Sequence, residues 1–238
     1  MRRLAAVAVA AALCVSAASP VAADNVPKCT TIVIDPGHDL HANLDTEPIG
    51  PGSKTRKIKD GGGTRGVVSG TPEHVITLQV GKRLRSALLK RGYCVTMTRT
   101  SSSGKSMGNV ARARIANKAH AALFVRIHAD GSTNHSQHGT ATLYPALHQG
   151  WTDDILPESR TAAGQLQAET VKRLHSRDAG TVERGDLTGF NWADVPAVLV
   201  ELGFLTNPDE DRRLNDAKYQ KRAALGMASG IERFAPPG

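Results

Sequence analysis

Four side chains give this sequence a chemistry to consider. His38 closes the phrase IDPGH, Glu73 lies in SGTPEH, His128 closes LFVRIH and Glu201 lies in VLVELGF. Two imidazoles and one carboxylate form a ligand set that zinc accepts while keeping one position open for water. A further carboxylate beside such a metal is the proton carrier that hydrolysis needs. Each residue also has an ordinary reading. His38 after Pro36-Gly37 would serve as a turn residue, and His128 as a hydrogen-bonded core histidine. Glu73 would answer the positive end of a helix. Glu201 is the hardest to explain that way, because an acid after Ala197-Val198-Leu199-Val200 in a buried strand is expensive without a partner or a role. The joint placement favours the metal reading. Asp35 is expected either to orient an imidazole from nearby or to cap its strand. The other histidines, His41, His74, His120, His135, His138, His148 and His175, have no comparable placement.

The elements that must position these residues follow from pattern. Strands are predicted at 31–35, 94–99, 121–127, 140–144 and 196–201. The runs IVI, ALFV and AVLV lack polar alternation, as expected of strands buried on both faces. Pro36-Gly37 stops the first strand. A helix starts at Thr71, read as its N-cap, with Pro72 and Glu73 in the first turn. Ile76, Val80, Leu84 and Leu88 share one of its faces, and Gly92 ends it. Further helices are predicted at 109–118, 159–175 and 218–234. The glycine- and charge-rich stretch 41–70 reads as a long irregular loop or a small hairpin, and 149–160 as a loop. The fold expected is a single α/β domain, a twisted and mostly parallel sheet flanked by helices. Such sheets place their sites beyond the carboxyl ends of the strands, where all four residues can meet.

The first 23 residues have the layout of a secretory signal peptide: Arg2 and Arg3, an apolar run too short to span a bilayer comfortably, then Val21-Ala22-Ala23. The expected division is therefore a signal peptide at 1–23 and a catalytic domain at 24–238, an exported chain in the periplasm or cell wall without stable membrane insertion after cleavage, and a monomer. Losing the two leader arginines takes the formal charge from +8 to +6. That charge suits an anionic wall polymer. Nucleic acid is disfavoured, because aromatics are scarce and no basic cluster is interleaved with them. Cys29 and Cys94 remain after the leader. They precede or open neighbouring predicted strands, so a disulfide at the edge opposite the site is expected, with two buried thiols as the other arrangement.

The phrases IDPGH, the Glu73 helix, TRT, RIAN, LFVRIHAD and PAVLVELGFLTNPDED occur in the order seen in zinc-dependent N-acetylmuramoyl-L-alanine amidases of the Amidase_3 type. The chain resembles that family from about Cys29 to Phe234, and most of all its compact, stand-alone actinobacterial members. The resemblance implies one zinc per chain held by His38, Glu73 and His128, with Glu201 as the catalytic carboxylate. It implies peptidoglycan or muropeptides as substrate, cut at the amide between the muramic lactyl group and L-alanine. A zinc peptidase acting within the stem peptide, or a wall-binding module without activity, are the other readings. Two departures stand out: the segment 39–70 is longer than the glycine-rich turn of many members, and wall-binding repeats are lacking.

Overall fold

The computed structural model describes residues 29–104 and 106–238. The expected signal peptide lies outside the described residues. Six strands form the main sheet, in the order β4-β1-β5-β8-β6-β7. They are β1 (Thr31–Pro36), β4 (Cys94–Met97), β5 (Leu123–Asp130), β8 (Ala197–Phe204), β6 (Thr140–Pro145) and β7 (Asp178–Arg184). β4, β1, β5 and β8 run parallel, β6 pairs antiparallel with β8, and β7 follows β6 in parallel. A separate antiparallel hairpin, β2 (Asn43–Pro48) and β3 (Arg56–Asp60), fills the segment that the sequence leaves as loop or hairpin.

The apolar runs are uninterrupted because both faces of the sheet are covered. Ile32, Ile34, Leu123, Val125, Ile127, Val198 and Val200 point to one face, where they pack with α1 (Glu73–Leu89), α3 (Leu156–Leu174) and α6 (Ala217–Phe234). Val33, Phe124 and Leu199 point to the other, against α2 (Asn109–Lys118) and the short α4 (Thr188–Asn191). Alternate residues of one strand thus feed two cores, as the period of two requires. On α1 the buried residues Ile76, Val80, Leu84 and Leu88 make the stripe that the sequence spaces for it.

Several expectations change in detail. Thr71 is not the cap of α1. Pro72 occupies that position, with extended backbone and no capping side chain. The strands β5 and β8 extend beyond the apolar runs to Asp130 and Phe204, so His128 and Glu201 lie inside strands rather than at their ends. Helix α3 begins at Leu156, within the stretch read as loop, because Ile155 is buried and Pro157 suits the first turn. The edge strand β7 has no apolar face to announce it, being largely exposed. A further short helix, α5 (Pro208–Leu214), is capped by the Asn207 side chain, which accepts from the amides of Asp209 and Glu210.

Candidate active site

The site is assembled where β1, β5 and β8 approach α1. His38 follows β1 across the Pro36-Gly37 turn and adopts a left-handed backbone, φ 58°. That conformation is uncommon for a residue with a side chain, and the turn is fastened from several sides. Arg99 donates to the carbonyls of Pro36 and Gly37 (3.0 and 2.9 Å), and Arg112 to those of Pro36 and His38 (both 3.0 Å). Glu73 is the first residue of α1, and Thr64 fixes it by donating its amide to Oε2 at 3.0 Å. His128 lies on β5 directly beside Glu201 on β8, since the two are register partners.

Three ligand atoms converge. Glu73 Oε1 lies 3.2 Å from His38 Nε2 and 3.0 Å from His128 Nδ1. The donor atoms of His38, Glu73 and His128 all fall within 4.8 Å of one another. Separations near 3 Å are what neighbouring donors show when each sits about 2.0–2.2 Å from a shared ion. His128 Nε2 is buried without a partner. The crowding leaves no room at Gly37, where a Cβ would come within 2.4 Å of the His128 ring. Gly63 presses on the other side: it holds φ 73°, and a Cβ there would lie 2.7 Å from Glu73 Oε2. A cleft of about 550 Å³ opens over the cluster, lined by His38, Glu73, His128, Asp130, His135 and Glu201 among others. Among the described residues, none from 149–160 lines it.

The electrostatics separate the two imidazoles. Burial holds His128 below its usual range, against the pull of Glu73, and so favours the neutral ring that ligates metal. Burial also opposes charge on His38, but Asp60 and Glu73 outweigh it and push that ring up to about 9. A cation between the same donors carries its own positive charge, which reverses that preference. Glu201 is raised well above the usual carboxylate range, first by burial and then by the charges of Glu73 and Asp130. Its Oε2 is buried and unpartnered. Asp130, which accepts the Gly131 amide at 2.7 Å, is itself raised by burial.

Asp35 does not orient an imidazole, contrary to that expectation. It is fully buried and engages Arg112 (2.6 Å), Arg126 (2.8 Å) and the Thr98 hydroxyl (2.6 Å). Burial alone would raise its pKa, yet the two guanidiniums hold it well below the usual range. The carboxylate that reaches His38 is Asp60, at the end of β3, 2.5 Å from Nδ1.

The whole arrangement agrees with a known family. The family Amidase_3, described as N-acetylmuramoyl-L-alanine amidase, matches residues 32–233. The chain belongs to this family. The amidase is 31% identical over 209 residues to an N-acetylmuramoyl-L-alanine amidase of Mycobacterium tuberculosis, covering 85% of each chain. It is 26% identical over 239 residues to the amidase AmiA of Escherichia coli, covering 84% of this chain and 74% of that one. The crystal structure of the amidase Ami1 from Mycobacterium smegmatis superposes with a TM-score of 0.78 at 26% identity, covering 86% of this chain and 96% of that one. The amidase is thus a hydrolase of peptidoglycan.

Three other polar side chains, Arg65, Asn207 and Arg184, have structural engagements. Arg65 donates to the Gly70 carbonyl, Asn207 caps α5, and Arg184 is bidentate to Asp186 at 2.7 and 2.9 Å. Among the described residues, none of the seven other histidines joins the ligand cluster of the amidase. Sequence reading missed Arg99, Arg112 and Asp60. Arg99 had a signal, lying in the phrase TRT, whereas Arg112 stands in a helix that also carries Arg114 and Lys118, where one more charge is unremarkable. Asp60 had none, since its partner lies 22 residues away across a hairpin.

Proposed function

We propose that this amidase is zinc-dependent, with one ion held by His38, Glu73 and His128, and that it cleaves the amide between the lactyl group of N-acetylmuramic acid and L-alanine. The observation that carries the reading is the meeting of three metal-type donors beside a buried, unpartnered carboxyl group. Two imidazoles with one carboxylate suit zinc better than magnesium or calcium, which take oxygen donors. When bound, zinc supplies Lewis acidity to water and to the amide carbonyl at neutral pH.

The protein's own groups do the rest. Glu201 accepts a proton from the attacking water and passes it to the departing amine of L-alanine. Its raised affinity for a proton fits the second half of that task, and a cation held by His38, Glu73 and His128 would offset the charge of Glu73 and favour the ionised form that the first half needs. Asp130 sustains the raised affinity by lying close enough to disfavour a second negative charge. Arg99 and Arg112 keep the His38 turn in its left-handed form, and Glu73 is pinned by the Thr64 and Ala129 amides. We further propose that residues 1–23 direct export and that 24–238 form the mature enzyme, which places the reaction where peptidoglycan is found.

The test is digestion of defined muropeptides with and without a chelator, with products weighed by mass spectrometry. Release of an intact stem peptide from the glycan, lost on chelation and restored by zinc, is expected. Cleavage within the stem peptide would replace this reading with that of a peptidase. Undiminished activity after complete metal removal would end the zinc assignment.

A further inference from the structure

We infer that Asp60, carried by the β2–β3 hairpin, is a positioning residue of the metal centre that fixes His38 in the tautomer whose Nε2 faces Glu73. The inference rests on the zinc reading above and deepens it, by giving the long segment after His38 a task.

The geometry is specific. His38 Nδ1 lies 2.5 Å from Asp60 Oδ1, while His38 Nε2 points at Glu73 Oε1, 3.2 Å away. A carboxylate only accepts, and a neutral imidazole has one donor nitrogen and one acceptor. Both nitrogens face a carboxylate, but a cation among the three donors takes the Nε2 lone pair, and the single proton of the neutral ring then lies on Nδ1, against the nearer carboxylate, Asp60. Metal-ligating histidines generally depend on such a partner for orientation and basicity. The two imidazoles here are not equivalent in this respect. His128 gives its Nδ1 to Glu73 and, among the described residues, has no partner on Nε2, so within them only His38 contacts a carboxylate from outside the proposed ligand set.

The hairpin is built to aim that carboxylate. Asp60 ends β3 opposite Asn43, whose side-chain amide donates to the Ser106 carbonyl at 2.7 Å. The preceding residue, Lys59, offers its carbonyl to the Asn109 side chain at 2.7 Å. On the other strand Glu47 takes the backbone amides of Asn109 and Val110, at 2.7 and 3.3 Å, where α2 has no cap of its own. Both strands are thus clamped to the start of α2. Asp60 itself is buried, 8% exposed, and its Oδ2 has no partner. Besides His38, Asp60 engages the turn amide of Gly62, which donates at 2.8 Å, and the Ser106 side chain.

Zinc affinity measured by competition with a chromophoric chelator tests the inference without reference to turnover. Asp60→Ala is expected to weaken zinc binding by about 10–100-fold. Asp60→Asn, which keeps an accepting oxygen and loses the charge, is expected to fall between it and the wild type. Nitrogen-15 NMR of the metal-free wild type, at a pH high enough to leave the ring neutral, should show His38 protonated on Nδ1, and the alanine variant should shift that proton toward Nε2. Thermal melting of the metal-free variants separates a merely structural role, which would lower stability and leave affinity untouched. Unchanged affinity in both variants, or a wild-type His38 protonated on Nε2, would overturn the assignment. A wild type that binds no zinc would instead defeat the zinc reading, while the NMR result would still decide the tautomer.

Discussion

A carboxyl group buried in a central strand keeps its proton unless a positive charge or strong donors compensate for desolvation. At Glu201 the charges of His38 and Arg184 favour ionisation but do not offset burial and the two acidic neighbours, Glu73 and Asp130, and its Oε2 is unpartnered. It stands apart from the donor cluster of His38, Glu73 and His128. Removing its ionisable group should therefore separate chemistry from metal binding. Glu201→Gln preserves shape and is expected to retain stoichiometric zinc, measured by atomic absorption. Turnover of muropeptides should drop by about 10²–10⁴-fold, the usual contribution of a general acid or base. Loss of zinc in that variant, or near-normal turnover, would contradict the division of roles.

At the scale of elements, the site depends on β1 being held to its neighbours by charge as well as by apolar contact. Asp35 ties β1 to α2 through Arg112 and to β5 through Arg126, with all three side chains buried. Asp35→Asn would leave two guanidiniums without their counter-charge, and such a break costs about 3–5 kcal/mol. Urea denaturation of the variant measures it. The same group sets a pH dependence. Its folded pKa lies below the unfolded value of about 3.9, so its contribution is complete above that value and drains away as pH falls through it. The wild type should lose stability steeply below about pH 4, and Asp35→Asn much less steeply over the same range. Equal acid sensitivity in the two proteins would show that another group governs the transition. The hairpin belongs to this scale too. It joins α2 through Glu47 and reaches the site through Asp60, so it braces the site as well as extending beside it.

Across the whole molecule, the reactive edge and the covalent fastening lie at opposite ends of the sheet. Cys29 and Cys94 are joined by a disulfide with Cα atoms 5.7 Å apart, spanning 65 residues of sequence. Cys94 opens β4, and its register partner Thr31 opens β1, so the bond lies at the amino ends of the parallel strands. His38 follows the carboxyl end of β1. Reduction, or the Cys29→Ser/Cys94→Ser double substitution, should lower unfolding free energy by about 2–4 kcal/mol. Zinc affinity of the protein that remains folded should stay the same. A parallel fall in affinity would mean that strain passes through β1 to the His38 turn. No helix among the described residues is long and apolar enough to cross a membrane.

The sequence by itself determined the elements whose physics is local or strongly periodic. Non-alternating runs had to be strands covered on both faces, and the stripe of α1 had to meet a core. The order of those elements brought His38, after a strand, and Glu73, at a helix start, toward the same rim as His128 and Glu201, although the structure carries the last two strands on past them. Tertiary structure decided what local pattern does not encode. Asp35 and Asp60 are both acids near an expected imidazole, and nothing in their neighbours says that the first belongs to two arginines and the second to His38. The edge strand β7 and the hairpin are defined by partners rather than by apolar periodicity, and the start of α3 by the burial of Ile155. Pairings between distant polar groups depend on distances that only the packed chain sets, because a hydrogen bond exists over a few tenths of an ångström and the sequence specifies no such length.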